Sequence, residues 1–497
     1  MNRKRKLLLN TVTGILKQVI MIICGFVLPR YMLLYYGSAV NGVVSSITYY
    51  LSFISLLDMG VGAVVQANLY KPLADGDSEQ ISSIVISSGR FFRRLAYIFI
   101  CYIVVLCFIY PHLFKSGFSP FFLITLLLII SVNTLAQYLF GMTYQLLLNA
   151  DQKSYVPLLL QIVTIPLNTI FAIVLMKLGA SVHVVKLMTA FVYVLRPIGQ
   201  LVYVKKHYSI NKKIKVVGEP IKQKWNGFSQ HLAAVVCQNI DVVVLTLFAS
   251  IEKVSVYSVY FNVTNGIEQL VMTATTGLES LFGNMIAKNE KEVLNRTFNA
   301  IEFLVHTGVT VIFTITGICI VPFISIYTRG ITDANYIEPL FGALLVLAYG
   351  CQCLRAPYFR VIKAAGHFKQ TQNGAYMSAG LNIVITVALV FKFGLIGAAI
   401  GTVVAMLYHT LYFVWYLRNN ILQRPLLKFI KHVIVDILVV LISCVGAMMF
   451  TFSGETYFAW VLYAIKISLV VLVVSILLNL LSFRMQMKDA VSLFKKK

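Results

Sequence analysis

Long apolar runs recur along this chain, separated by short polar or charged connections. A helix rises about 1.5 Å per residue, so about 20 apolar residues cross a hydrocarbon layer about 30 Å thick. The pattern predicts fourteen spanning helices, over 10–36, 40–68, 90–111, 119–147, 154–177, 180–204, 227–250, 254–284, 297–326, 336–361, 372–392, 394–417, 430–452 and 457–483. The expected class is an all-α polytopic membrane protein. Runs longer than the hydrocarbon thickness tilt or project beyond it. The second run is broken by Gly60-Val61-Gly62. Over 80–94, Ile81, Ile84, Val85, Phe91 and Phe92 stand beside Arg90, Arg93 and Arg94. That spacing predicts an amphipathic stretch lying on the inner leaflet before the chain enters the membrane.

The connections are too short to hold a soluble domain. The largest, 205–226, is rich in lysine and divides the chain. The expected organisation is an N-lobe of six helices over 1–204, the basic linker 205–226, and a C-lobe of six helices over 227–418. A helix pair over 430–483 and a tail over 484–497 follow. The halves resemble each other. Leu148-Asn149-Ala150-Asp151-Gln152-Lys153 precedes a helix holding Asn168 and ending Lys177-Leu178-Gly179. Lys363-Ala364-Ala365-Gly366-His367-Phe368-Lys369 precedes a helix holding Asn382 and ending Lys392-Phe393-Gly394. Both helices run in the same direction, so the repeat is parallel, and substrate sites commonly lie at a repeat interface.

Composition sharpens this picture. The chain of 497 residues is 59% hydrophobic and only 12% charged, against about 25% charged in soluble domains. Its mean hydropathy is +0.82. A soluble enzyme, a disordered chain and a disulfide scaffold are excluded. The formal charge is +24, from 42 Lys+Arg and 18 Asp+Glu. A nucleic-acid binder needs such charge on a solvated face, and this chain has little solvated surface. Thirty of the 42 basic residues fall in connections or at run ends on the side of the N-terminus. Five (Lys115, Lys177, Lys253, Arg329, Lys392) fall on the other, and the rest lie within the runs. By the excess of Lys and Arg in cytoplasmic loops, both termini are expected to be cytoplasmic. Arg3-Lys4-Arg5-Lys6 and the apolar run after it imitate a signal peptide, but Lys17 interrupts the run, which predicts an uncleaved first helix. All eight cysteines fall in apolar runs, where no disulfide framework is expected.

Particular residues carry a family resemblance. Leu28-Pro29-Arg30-Tyr31, then Gly37 and Asn41-Gly42, resembles the first hairpin of bacterial polysaccharide-transport flippases. So do Leu57-Asp58-Met59-Gly60-Val61-Gly62 and Leu69-Tyr70-Lys71-Pro72-Leu73-Ala74. Asp58 stands where many of that family carry Glu. Gln238-Asn239-Ile240-Asp241, Val256-Tyr257-Ser258-Val259-Tyr260 and Gly283-Asn284 resemble that family's seventh and eighth helices. The likeness is to the Wzx-type branch of the multidrug/oligosaccharidyl-lipid/polysaccharide (MOP) exporter superfamily. It implies a two-lobed alternating-access transporter in the bacterial cytoplasmic membrane. The implied cargo is an undecaprenyl-diphosphate-linked oligosaccharide for capsule or another surface polysaccharide. The implied partners are that glycan, membrane lipids, and polysaccharide polymerase and assembly proteins, with no nucleic acid.

An ionised group in hydrocarbon costs roughly 2.5–3.5 kcal/mol on insertion scales, so each charge inside a run needs a reason. Arg30, Arg196 and Arg355 lie deep and are candidate diphosphate contacts, because a guanidinium donates paired hydrogen bonds to phosphate. Internal ion pairing is the alternative. Lys17, Lys186, Arg360 and Lys466 lie within reach of an interface by snorkelling. Asp58, Asp241 and Glu268 are the deepest acids, candidates to bind a coupling H⁺ or Na⁺ or to neutralise a buried Arg. Glu279, Glu302 and Asp436 are expected near the inner boundary, solvated. Tyr49, Tyr50, Tyr257, Tyr260, Tyr408, Tyr412 and Trp415 suit sugar stacking or an interface belt. No metal site, resident cofactor or nucleotide-binding motif is read from the sequence. Four functions remain in play: the oligosaccharide flippase, a lipid II-type peptidoglycan flippase, a drug or organic-cation antiporter of the same superfamily, and a membrane glycan enzyme. The last lacks an external loop with catalytic residues.

Overall fold

The computed structural model describes residues 3–57, 61–113, 117–211 and 228–495. Among them no strand occurs. The chain divides into two compact units: Met1–Val235 with Ser250–Ser255, and Val236–Ala249 with Val256–Lys497.

The first unit holds α1 (Arg3–Ser52), α2 (Val61–Asp75), α3 (Ser78–Leu113), α4 (Pro120–Ala136), α5 (Met142–Ala150), α6 (Tyr155–Lys177) and α7 (Val182–His207). α1 is bent where Gly37 takes φ 79° and ψ 176°. That backbone region is open essentially to glycine alone. Just before the bend the Tyr36 hydroxyl donates to the Ala180 carbonyl at 2.7 Å, which ties α1 to the turn after α6. α1 packs along α6, α6 on α7, and α7 on α4.

α3 differs from expectation. Asp77 Oδ1 accepts from the amides of Glu79 and Gln80 at 3.0 and 2.9 Å, capping the helix at its start. From there it runs 36 residues without a break. Ile81, Ile84, Val85 and Phe92 are buried, while Arg90, Arg93 and Arg94 are exposed. α2 and α5 pack on this helix. The apolar face is covered by protein, so the segment is the base of a long helix and not a separate leaflet-lying stretch.

Where α1 begins, the turn after α5 is pinned. Lys6 Nζ donates to Asp151 Oδ1 at 2.9 Å and to its carbonyl at 2.8 Å. Lys153 Nζ lies 2.8 Å from Asp151 Oδ2, and the Tyr208 hydroxyl donates to that oxygen at 2.5 Å. Burial pushes the Asp151 carboxyl up, but the donors Lys153, Tyr208 and Lys6 outweigh it and hold the group below its ordinary value. This knot joins the ends of α1, α5 and α7.

The second unit holds most of α8 (Phe228–Phe248) and α9 (Ile251–Ala274), then α10 (Leu278–Ala287), α11 (Lys291–Tyr327), α12 (Pro339–Leu354), α13 (Ala356–Ala364), α14 (Phe368–Phe393), α15 (Leu395–Leu417), α16 (Leu427–Ala447), α17 (Tyr457–Ser482) and α18 (Arg484–Lys495). α11 packs against α12, α16, α17 and α18. α14 and α15 approach closely at Gly401, where a Cβ would lie 2.1 Å from Thr386 Oγ1 and 2.9 Å from its amide nitrogen. Only glycine leaves room for that approach. α12 gives way to α13 at Arg355, two residues before Pro357. Proline has no N–H for the Cys353 carbonyl one turn back, so the ladder is interrupted there.

Eleven helical stretches among the described residues are long and apolar enough to cross a membrane. The first two expected runs meet at the non-helical Gly37, and there they count as one stretch. α8 is 21 residues long, and its apolar length is described only over Val235–Phe248. α9 carries Glu252, Lys253, Asn262, Asn265 and Glu268, which lower its hydropathy.

Glu302 corrects another expectation. It is 1% exposed, not solvated. Arg424 Nη2 lies 2.5 Å from its Oε2, and the Tyr358 hydroxyl donates to its Oε1. One turn along α11, His306 Nδ1 lies 2.6 Å from Asp436 Oδ2. Arg360 pairs with Glu279 at 3.6 Å, and Lys363 lies 3.0 Å from the same oxygen.

Candidate functional site

Charged groups lie inside the helices of each unit. In the first, Arg30 is half-buried on α1 directly after Pro29. Arg196 on α7 is held from two sides. Its Nε donates to Thr164 Oγ1 on α6 at 2.6 Å, and its guanidinium carbon lies 3.8 Å from the Tyr193 ring centroid. Its Nη2 is buried with no hydrogen-bond partner. Lys17 on α1 lies within electrostatic reach of it. Polar groups on α6 and α7 add to the cluster. Asn168 Nδ2 donates to the Tyr193 hydroxyl at 3.3 Å, leaving Asn168 Oδ1 unpartnered, and Gln200 Oε1 is also unpartnered.

In the second unit Arg355 occupies the break between α12 and α13. Phe413 lies beneath it, 5.8 Å from guanidinium carbon to ring centroid, and its Nη1 is buried without a partner. Glu268 lies within electrostatic reach, as do Cys237, Cys351 and Cys353. No direct ion pair joins Glu268 and Arg355 among the described residues. The Glu268 carboxylate instead accepts from Gln352 Nε2 at 2.5 Å. His409 lies within electrostatic reach of Arg355, and its Nε2 is unpartnered.

Asp241 is separate from these cations. It is 1% exposed. Its Oδ2 accepts from the Tyr257 hydroxyl at 2.9 Å and from Thr402 Oγ1 at 2.5 Å, and its Oδ1 from Thr386 Oγ1 at 3.4 Å. Asn382 Oδ1 accepts from the same Thr386 hydroxyl at 3.2 Å, and Asn382 Nδ2 is unpartnered. Helices α8, α9, α14 and α15 thus converge on one carboxylate through hydroxyl groups alone. Asp58 lies outside the described residues.

Known proteins bear on this arrangement through their folds. No protein-family model matches the sequence, and no curated protein does. Solved structures do. A lipid II flippase MurJ in an inward closed conformation superposes with a TM-score of 0.70 at 17% identity, covering 95% of this chain and 99% of that one. An inward-facing multidrug resistance MATE family transporter of the MOP superfamily gives 0.57 at 13%, covering 80% and 93%. A eukaryotic MATE transporter, AtDTX14, gives 0.54 at 13%, covering 84% and 97%. This chain has the fold of the MOP transporters.

On that fold the two deepest arginines share a feature. Each is positioned by an aromatic ring and its surroundings, and each keeps one buried nitrogen without a partner. A buried charged donor left unsatisfied is costly. An oxyanion bound at either would satisfy that nitrogen. The aromatic candidates divide. Tyr257 and Tyr260 are fully buried; the first serves Asp241, and the second donates to the Tyr336 carbonyl at 2.9 Å. Neither is free to stack on a sugar. Tyr408, Tyr412 and Trp415 form a partly exposed aromatic row on α15, with ring centroids 6.2 and 6.1 Å apart in sequence order. Sequence reasoning missed Thr164, Thr386, Thr402, Gln352 and His409, since neutral polar residues in an apolar helix carry no distinguishing spacing. Among the described residues no group of three His, Cys, Asp or Glu is placed to hold a metal ion.

Proposed function

We propose that this chain is an alternating-access flippase that moves a polyprenyl-diphosphate-linked saccharide from the inner to the outer leaflet of the bacterial cytoplasmic membrane. The supporting observation is that its deepest arginines, Arg196 and Arg355, each keep a buried donor unpaired on a MOP transporter fold. In this reading the helices form fourteen spans, as two lobes of six and a C-terminal pair, with both termini cytoplasmic. Arg30 and Arg196 in the first unit and Arg355 in the second are the residues proposed to meet the diphosphate, and the polyprenyl tail stays in lipid. An inside-negative potential helps expel the anion, at about 2.3 kcal/mol per charge per 100 mV.

The likeness to the lipid II flippase covers more of the chain and superposes better than the MATE likenesses quoted beside it. It favours a lipid II-type cargo over a capsule repeat unit. A second reading, a cation antiporter, draws on the MATE likenesses and on Asp241, a carboxylate held by hydroxyls with no ion pair to a cation among the described residues. In the flippase reading that carboxylate binds the coupling H⁺ or Na⁺. Depletion of the protein separates them. A flippase predicts that lipid-linked saccharide accumulates on the cytoplasmic side. No such accumulation, with raised sensitivity to cationic drugs, contradicts it.

A further inference from the structure

The connection between α15 and α16 leaves regular helix in a π-helical turn at Arg418–Leu422 and then passes Gln423 at φ 48°. Beside it lies a narrow cleft, open on one side, with room at its floor for a single water-sized group. Arg418, Arg424, Tyr358, Leu417, Leu426 and Phe429 line it.

Its two arginines differ. Arg424 is 8% exposed. Its Nη2 is engaged with Glu302, and its guanidinium carbon lies 5.0 Å from the Phe298 ring centroid. Its Nη1 is buried and has no partner. Glu302 is already occupied by Arg424 and Tyr358, with His432 Nε2 at 3.7 Å, so it balances Arg424 and nothing more. Arg418 is exposed and, among the described residues, has no carboxylate at ion-pair distance. The cleft therefore has one uncompensated positive charge at its rim, one unsatisfied donor in its wall, and apolar sides. A tetrahedral oxyanion presents one oxygen to a narrow floor and others to a rim, and guanidinium groups suit it. The exposed apolar side chains of the framing helices, Trp415, Leu427 and Ile430 at 51%, 74% and 46%, indicate that the anion comes with a hydrocarbon tail. A free phosphate would use none of these.

We propose that this cleft holds the phosphate of an anionic phospholipid, with Arg424 Nη1 and Arg418 donating to its oxygens and an acyl chain lying against Leu427 and Ile430. The site lies wholly within the second unit. It uses none of Arg30, Arg196, Arg355, Asp241 and Glu268, so it stands whether or not the transport reading holds. The bound lipid braces the connection that joins the C-terminal helix pair to α15.

Native mass spectrometry and thermal unfolding of the full-length protein in detergent test this with phosphatidylglycerol, phosphatidylcholine and inorganic phosphate. Phosphatidylglycerol is expected to stay bound and raise Tm; phosphatidylcholine is not. Arg418→Ala is expected to leave the lipid-free Tm unchanged and lower phosphatidylglycerol retention at least tenfold. Arg424→Lys keeps a cation for Glu302, removes the second arm of the fork, and is expected to lower retention as well. If Arg424→Lys does not fold, Arg418→Ala alone decides. Equal retention of the two lipids, or unchanged retention in Arg418→Ala, overturns the site. Stabilisation by inorganic phosphate equal to that by phosphatidylglycerol overturns the lipid assignment.

Discussion

Arg196 and Arg355 are costly to keep as they are, and that cost separates a structural role from a binding one. Each leaves a buried nitrogen unpaired, as Arg360 and Arg424 also do, but of these four only Arg196 and Arg355 have no carboxylate at ion-pair distance among the described residues. Replacing either by Gln removes a buried charge without stranding a counter-ion, since no carboxylate lies at ion-pair distance among the described residues. Arg196→Gln and Arg355→Gln are therefore expected to leave thermal stability unchanged or raised while transport falls at least tenfold. A fall in Tm with transport intact would make them structural. Glu302→Gln is the contrasting case. It strands Arg424 and is expected to cost about 3–5 kcal/mol in denaturant unfolding. The sequence showed which charges were deep but not what faced them. Glu302 seemed near the boundary because its partner, Arg424, stands in a connection more than a hundred residues away. Asp241 was legible as an acid in an apolar run, while its holders Tyr257, Thr386 and Thr402 were ordinary helix residues until the fold gathered them.

Among the elements, bends and close approaches decide the geometry. Gly37 gives α1 its bend, and any other residue there is strained by roughly 1–3 kcal/mol. Gly37→Val is expected to lower stability by about that amount, measured by thermal unfolding in detergent. Gly401→Val places side-chain atoms on Thr386, displaces a holder of Asp241, and is expected to lower both stability and transport. The knot at Asp151 gives a pH signature. A carboxyl held below its ordinary value stabilises the fold above its unfolded pKa, about 3.9. That contribution is lost as pH falls through the folded value. Unfolding of the wild type is thus expected to steepen below about pH 4, and Asp151→Asn to be less stable at neutral pH with a flatter acid limb. Equal acid limbs would remove Asp151 from the account. Helix existence was legible from apolar runs, because length and hydropathy are local. The continuity of α3 was not. Its amphipathic base fits a leaflet or a protein surface equally well, and only the covering helices α2 and α5 decide between them.

At the scale of the molecule, charge placement and apolar length indicated a polytopic membrane protein, the family resemblance implied a MOP transporter, and the fold agrees with both over nearly the whole chain. What the fold leaves to chemistry is the cargo. The likeness to solved transporters is a likeness of helices, shared by lipid II and multidrug transporters at low identity. The arginine clusters are what point to an anion. The most direct measurement reconstitutes the purified chain in liposomes with a fluorescent polyprenyl-diphosphate saccharide and follows access of a membrane-impermeant reagent to the headgroup. Wild type is expected to exchange the headgroup between leaflets, Arg196→Gln and Arg355→Gln to lose at least tenfold in rate, and a cationic dye to be left where it is. Transport of the dye with no movement of the lipid-linked saccharide would contradict the flippase account outright.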